Sequence, residues 1–203
     1  MSMMPVISQR ALAMMLSLLV FTSTCSALLV ENQDFEERHD GVDFPVGYTE
    51  FRLDGVFSPQ VRMVYPAMFD GEDKDMAGNG PFSWTVFVGD SGEDLDSYML
   101  FVSELVKRGF IVIVTQPVQD ETDVEETLQL ITDIAEVMIE QNQTNLHVMG
   151  SAGNIDLDHW GIGGHGKGAA AAYVAVPYFN QSQRASTLQP PRSLFGLGLN
   201  MDS

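Results

Sequence analysis

The amino-acid sequence predicts an α/β fold with a mostly parallel sheet and helices on both faces. Two continuous apolar runs, at 84–88 and 110–114, are typical of strands that are covered on both faces. Apolar residues recur at helical spacing after each of these runs. A third strand is predicted to end near Gly164 and to turn directly into an alanine-rich helix. Right-handed crossovers then place the carboxyl ends of these strands at one edge of the sheet, where ligands bind in such folds.

The N-terminal segment resembles an export signal. Arg10 precedes an apolar run at 11–21, and the small residues at 22–27 resemble a cleavage site. We expect residues 1–27 to be a signal peptide and the protein to be exported. The alternative is an uncleaved membrane anchor, because residues 28–30 extend the apolar stretch to about twenty residues, which is long enough to cross a bilayer.

The folded domain is predicted to begin after a linker. Residues 28–48 are interpreted as an acidic linker or arm, because residues 31–43 carry many acids and few large apolar side chains. Residues 49–203 are the predicted folded domain. The single cysteine, Cys25, lies within the expected signal, so the mature chain is expected to have neither a thiol nor a disulfide.

The domain is predicted to open with an antiparallel pair of strands. Strand-like runs at 49–53 and 60–65 flank the turn signal Asp54-Gly55. An acidic, glycine-containing loop at 70–81 then leads to the apolar strand at 84–88.

Two helices are predicted between the three apolar strands. Gly109 stands where a left-handed cap would end the first helix. Asp120 and Asp123 favour the start of the second helix through capping and the helix dipole. The apolar faces of both helices are interpreted as core, and they consist of Leu95, Tyr98, Val102, Leu105, Val124, Leu128, Ile131, Ile134 and Met138.

The charge balance restricts the partners. The chain has 28 Asp and Glu against 10 Lys and Arg, which gives a formal net charge of -18. This excess argues against nucleic acid, or an anionic membrane surface, as the main partner. Contact with a membrane is expected only through the N-terminal segment, if that segment stays uncleaved.

One segment has the form of a catalytic nucleophile elbow without a nucleophile: Trp160-Gly161-Ile162-Gly163-Gly164-His165-Gly166-Lys167-Gly168-Ala169. In the motif G-x-S-x-G a strand turns sharply into a helix, and the central serine projects at the top of the sheet. Gly164 and Gly168 are the flanking glycines here, and Gly166 stands in the place of the serine. Glycine adopts the backbone angles of such a turn with little penalty. We therefore expect the turn to persist without the hydroxyl.

This segment resembles a known group of enzymes. Residues 155–168 resemble, without gaps, the strand and elbow of bacterial cutinases and polyester hydrolases. Those proteins, with chlorophyllases and platelet-activating-factor acetylhydrolases, usually read G-H-S-x-G at this place. Three other segments also resemble the group: 61–66 its early strand, 84–91 its oxyanion strand and loop, and 106–114 the helix end and strand that follow. The resemblance therefore runs from about Val61 to the C-terminus, with the motifs in the family's order.

The resemblance implies an α/β-hydrolase fold and a relation to carboxylic-ester hydrolases, without a cofactor or a metal. It assigns the two N–H groups that hold an oxyanion to the backbones of Asp90 and Lys167. It assigns support of the turn to Gly164, His165 and Gly168. An ester-like or other small apolar molecule is the ligand that it implies.

The chain departs from the family pattern in three respects. Gly166 has no side chain to attack with, and removal of the nucleophile from a triad enzyme costs about a millionfold in turnover. Asp90 stands where the family usually has an aromatic residue, and its carboxylate would repel a developing oxyanion. The last strand-like run, at 193–199, ends close to Ser203, and the family's acid and histidine lie beyond this point, so the fold is expected to be incomplete at its C-terminus. No histidine stands in the place of the base; those present are His39, His147, His159 and His165.

Other sites in the sequence offer weaker alternatives. Ser151 lies in a glycine-rich stretch but precedes the elbow strand, and Ser91 follows the oxyanion strand, where turn capping is its ordinary role. Residues 161–167 match the first seven positions of a phosphate-binding P-loop, but Gly168 replaces the residue that binds magnesium. A weaker version is an anion held, without chemistry, by Lys167 and the following helix start.

The sequence therefore predicts an exported relative of carboxylic-ester hydrolases that is inactive as a serine esterase. One alternative is a non-catalytic protein that binds a ligand or partner in the inherited cleft. The other is an active hydrolase with an unrecognised nucleophile.

Overall fold

The computed structural model describes residues 43–54, 59–90, 92–116, 124–182 and 193–197. The expectations for the signal segment with Cys25, for His39, for Gly55, for Ser91 and for the helix start at Asp120 and Asp123 fall outside these ranges. In the part of the chain that is described, no helix combines the length and the apolar character needed to cross a membrane.

Among the described residues, seven strands form one sheet that is flanked by helices. The strands are β1 (Val46–Arg52), β2 (Gln60–Pro66), β3 (Gly71–Glu72), β4 (Phe82–Val88), β5 (Ile111–Thr115), β6 (Ile155–His165) and β7 (Ser193–Leu197). The helices are a short 3-10 helix (Leu95–Tyr98), α1 (Met99–Lys107), α2 (Val124–Thr144) and α3 (Lys167–Ser182).

The sheet is mostly parallel, and its spatial order is β3-β1-β2-β5-β4-β6-β7. Strand β2 pairs antiparallel with both β1 and β5. Strands β5, β4, β6 and β7 run parallel to one another. The predicted α/β class is therefore confirmed, and the chain opens with the expected antiparallel pair.

Both faces of strand β4 are covered. Val86 belongs to a buried cluster that also contains Ile131 of α2. The next side chain along the strand, Phe87, packs on the other face, where its ring centroid lies 5.0 Å from that of Tyr98 and 5.6 Å from that of Phe101. Since successive side chains of a strand point to opposite faces, this arrangement explains why the run at 84–88 is apolar throughout.

The first predicted helix begins in a tighter form than expected. Residues Leu95–Tyr98 form a 3-10 helix, and α1 continues from Met99. The Asp94 side chain accepts a hydrogen bond from the Asp96 N–H at 3.1 Å and caps this start. After α1, Gly109 has a φ of 87°, which is the left-handed conformation predicted for a helix cap.

The register of the sheet aligns the carboxyl ends of three strands. Val88 of β4 lies opposite Thr115 of β5 and opposite Gly164 of β6. The chain passes from β4 to β5 on one side and then crosses to β6 on the other side of β4. The carboxyl end of β4 is thus a topological switch point, the place where α/β sheets bind ligands. Gly89 and Asp90, which follow β4, therefore lie beside the end of β6.

Candidate functional site

The turn between β6 and α3 consists of a single residue. Strand β6 ends at His165, α3 begins at Lys167, and Gly166 between them has a φ of 54°. A positive φ of this size is costly for a residue with a β-carbon and cheap for glycine. This strand, turn and helix form the structural context that the motif G-x-S-x-G requires.

Two glycines allow the turn to pack against β4. A β-carbon on Gly164 would lie 2.6 Å from the carbonyl oxygen of Val88, which is closer than real contacts allow. A β-carbon on Gly168 would overlap the carbonyl oxygens of Val88 and Gly89. These obstacles are backbone atoms of a central strand in a close-packed interior, so they cannot swing aside as a side chain can. Glycine at both positions is therefore a packing requirement of the turn.

The space that a nucleophile would occupy at the turn is filled by Asp90. A β-carbon on Gly166 would lie 2.6 Å from Oδ1 of Asp90, and it would overlap Cγ and Oδ2 of the same carboxylate. The sequence placed Asp90 and Gly166 at the same edge of the sheet, and the structure brings them into direct contact. The absence of a side chain at Gly166 is what makes room for the Asp90 carboxylate.

The Asp90 carboxylate also caps helix α3. The backbone N–H of Lys167 donates to Oδ1 of Asp90 at 3.0 Å, although the two residues are 77 positions apart in the chain. Glycine at the turn has no side-chain oxygen with which to cap the helix, so the cap comes from the neighbouring strand end. The negative charge is also favourable next to the positive end of the helix dipole.

The second backbone donor of the site is engaged by Tyr98. The N–H of Asp90 donates to the Tyr98 hydroxyl at 2.8 Å. The same hydroxyl lies 3.2 Å from Nδ1 of His165, and it donates to that nitrogen when the nitrogen carries no proton. Tyr98 is buried, and burial raises the pKa of its phenol. The phenol therefore acts as a neutral hydrogen-bonding group between Asp90 and His165.

The two N–H groups that the resemblance assigned to an oxyanion thus have partners within the protein. That of Lys167 is bound to Asp90, and that of Asp90 is bound to Tyr98. His165 lies beside the turn and contacts Tyr98, while the Lys167 residue is exposed. Sequence reasoning missed the part played by Tyr98, which it interpreted only as core. A buried tyrosine needs a partner for its hydroxyl, and that need was the one available signal.

An open polar groove of about 350 Å³ lies at the same edge of the sheet. Its lining includes Glu93 and Gln116, which follow the ends of β4 and β5. Arg62 also lines it, but the guanidinium donates to Glu50 at 2.7 Å and is paired with Asp96 at 2.5 Å. The positive charge of Arg62 is therefore neutralised by acids within the protein. The polar lining suits a polar ligand better than the apolar ligand that the resemblance implies.

Ser151 lies at the opposite end of strand β6. It is completely buried, and its hydroxyl oxygen lies 2.8 Å from the Val148 carbonyl oxygen and 3.0 Å from that of Gln141. The side-chain amide of Gln141 donates to the same hydroxyl. The hydroxyl thus fastens the loop before β6 to helix α2, away from the turn at Gly166.

The P-loop alternative conflicts with the backbone. Residues 161–164, near the end of strand β6, pair with both β4 and β7, and His165 pairs with β7. In a phosphate-binding loop the same N–H groups would be turned towards the phosphates. Here they belong to a sheet ladder, so the match in letters does not produce a phosphate cradle.

The remaining histidines make other contacts. The His147 ring stacks on Phe51 with a centroid distance of 4.1 Å, and burial lowers its pKa. His159, in the first half of β6, has Nδ1 at 2.8 Å from Oδ2 of Asp156. Across the described ranges, no group of three or more His, Cys, Asp or Glu side chains is arranged to hold a metal ion.

No family model and no curated protein matches the chain. Among solved structures, the chain is similar to a ferulic acid esterase from Streptomyces cinnamoneus, with 14% sequence identity and a TM-score of 0.48. The match covers 70% of this chain and 58% of the esterase.

Proposed function

We propose that this protein is an exported relative of carboxylic-ester hydrolases of the cutinase, polyester hydrolase and chlorophyllase type that has no serine-esterase activity. The observation that carries the proposal is the contact between Gly166 and Asp90 at the strand-to-helix turn. A carboxylate from the neighbouring strand fills the place from which a serine would attack.

The chemistry of ester hydrolysis explains why this arrangement is inactive. A serine esterase needs a hydroxyl, a base that takes its proton, and two N–H groups that hold the oxyanion. Gly166 supplies no hydroxyl, and the N–H groups of Asp90 and Lys167 already have partners. Since loss of the nucleophile alone costs about a millionfold in turnover, hydrolysis at this turn is expected to be at background.

A binding role is the second candidate function. The polar groove at the same edge of the sheet supports it, because clefts of about 300–1,000 Å³ are the usual size for small ligands and the groove has about 350 Å³. Glu93 and Gln116 place it near the carboxyl ends of β4 and β5, at the edge of the sheet where ligand sites of this fold class lie. Binding there needs no nucleophile.

Covalent labelling tests the proposal. The full chain is treated with a fluorophosphonate probe and measured by intact mass, and its hydrolysis of a short-chain p-nitrophenyl ester is followed in parallel. We expect no adduct and no hydrolysis above background. A rise in melting temperature with the unhydrolysed ester supports the binding role.

A stable adduct would overturn the proposal and identify the active serine by peptide mapping. The matched variant is Ser91→Ala, because Ser91 follows Asp90 in the sequence and is the alternative nucleophile nearest to the site in the chain. Activity that disappears in this variant would instead support a hydrolase with Ser91 as its nucleophile.

A further inference from the structure

We propose that the Asp90 carboxylate is a tethered ligand of the turn, and that it excludes external anions and carbonyl oxygens from this site. The inference rests on the proposed function, since it assumes that the turn is not catalytic. It goes further because it proposes that the Asp90 side chain controls which ligands can bind at the turn.

The position of the carboxylate supports this role. Oδ1 of Asp90 lies 3.0 Å from the Lys167 nitrogen, within the distance of about 2.7–3.1 Å at which such donors hold an oxyanion. The carboxylate carries the charge that an oxyanion would carry. It therefore occupies the donor in the same manner as a bound substrate oxygen.

The site is also closed from the side of Gly166. The carboxylate occupies the volume above this residue that a side chain would take. A second anion placed there would meet both the atoms and the charge of Asp90. Because like charges at short range repel each other, exclusion has an electrostatic as well as a steric origin.

Tyr98 holds the strand end that carries this carboxylate. It accepts the Asp90 N–H at 2.8 Å, and its ring lies so close to Gly89 that a β-carbon there would be 2.8 Å from Cε2. One buried ring therefore packs against Gly89 and holds the N–H of Asp90. The carboxylate is presented to Lys167 from a rigid support, which lowers the entropy cost of keeping it bound.

Chemical rescue tests the inference. The Asp90→Ala variant of the full chain retains the β-carbon and lacks the carboxylate, so formate has the size of the missing group. We expect sodium formate to raise the melting temperature of this variant by about 2–4 °C relative to sodium chloride at the same ionic strength. The wild-type protein is expected to show no difference between the two salts.

Two further variants serve as controls. Asp158→Ala removes an exposed acid from strand β6, and the melting temperature of this variant should not respond to formate. Asp90→Asn retains a side-chain oxygen that accepts from Lys167, so it should remain closed to formate. An equal formate response in the wild type or in Asp90→Asn, or no response in Asp90→Ala, would overturn the inference.

A measurement on the wild-type protein covers the case in which Asp90→Ala does not fold. In NMR spectra, the hydrogen bond should give a scalar coupling between the Lys167 amide nitrogen and the side-chain carboxyl carbon of Asp90. Absence of this coupling when both signals are assigned would contradict the tethered contact. Neither experiment depends on fluorophosphonate labelling, so failure of the proposed function is distinguished from failure of this inference.

Discussion

Two glycine-rich turns, at residues 150–153 and 164–168, lie at opposite ends of strand β6. The first contains Ser151, whose hydroxyl is enclosed and hydrogen-bonded to the Gln141 and Val148 backbone. The second contains no serine, and its central residue, Gly166, stands where three parallel strands end. The first turn thus has a buried and fully engaged hydroxyl, whereas the second has no hydroxyl and holds the Asp90 carboxylate in that place.

The position of a serine in the fold therefore decides what its hydroxyl can do. A nucleophile must reach both a substrate and the donors that hold an oxyanion, and the buried hydroxyl at Ser151 reaches neither. At Gly166 the two N–H groups that the resemblance assigned to an oxyanion are bound to Asp90 and to Tyr98. Each turn is therefore held in place by a side-chain hydrogen bond. Ser151 makes it in the first turn, and Asp90 makes it in the second.

The largest effect is expected from Gly168→Ala. In a helix, alanine is ordinarily more favourable than glycine by about 1 kcal/mol. Here the β-carbon would meet the carbonyl oxygens of Val88 and Gly89, so we expect the free energy of unfolding to fall by about 3 kcal/mol. Urea unfolding measures the change. The control is Gly78→Ala, where nothing lies within 4 Å of the added carbon and the change should stay within about 0.5 kcal/mol. A stabilised Gly168→Ala would refute the packing of the turn against β4.

The next effect is expected from Gly166→Ser, which introduces a hydroxyl at the turn after β6. The positive φ at this residue alone costs about 1–3 kcal/mol for a side chain, and the serine must displace the Asp90 carboxylate. We expect a loss of about 2–3 kcal/mol in the free energy of unfolding. In the Asp90→Ala background the loss should be smaller by at least about 0.5 kcal/mol, because residues in contact do not act additively. Additive losses in this four-protein cycle would show that the two residues are not in contact.

The smallest effect is expected from Ser151→Ala, which removes the hydroxyl from the enclosed turn. One N–H of the buried Gln141 amide loses its partner, and a buried donor left without a partner costs about 1–2 kcal/mol. Fluorophosphonate labelling should remain absent, as in the wild type. The control is Ser103→Ala in α1. If Ser151→Ala were to abolish a labelling signal present in the wild type, the comparison between the two turns would be reversed.

Much of the frame was predictable because its signals are local. The apolar runs at 84–88 and 110–114 became central strands, and Gly109 adopts the left-handed conformation expected of a helix cap. The turn at Gly166 was also predicted, since its glycines lie within five residues of one another. In each case, residues close in sequence determine a backbone conformation that only a few residue types accept.

The contacts inside the site were not predictable in the same way. Asp90 and Lys167 are 77 positions apart, and Tyr98 and His165 are 67 positions apart. Whether such side chains meet depends on the register of β4 against β6 and on the direction each side chain takes. The apolar stripe correctly placed Tyr98 in the interior, but periodicity carries no information about the partner of its hydroxyl.

The central strands, the helices between them, the glycine turn at the end of β6 and the absence of a hydroxyl at Gly166 follow from the sequence alone. These are properties of single residues and of short-range backbone preference. The contact of Asp90 with Gly166 and the bond from the Asp90 N–H to Tyr98 appear only in the folded chain. Close packing of parallel strands brings distant groups within hydrogen-bonding distance, and no local preference encodes which groups those will be.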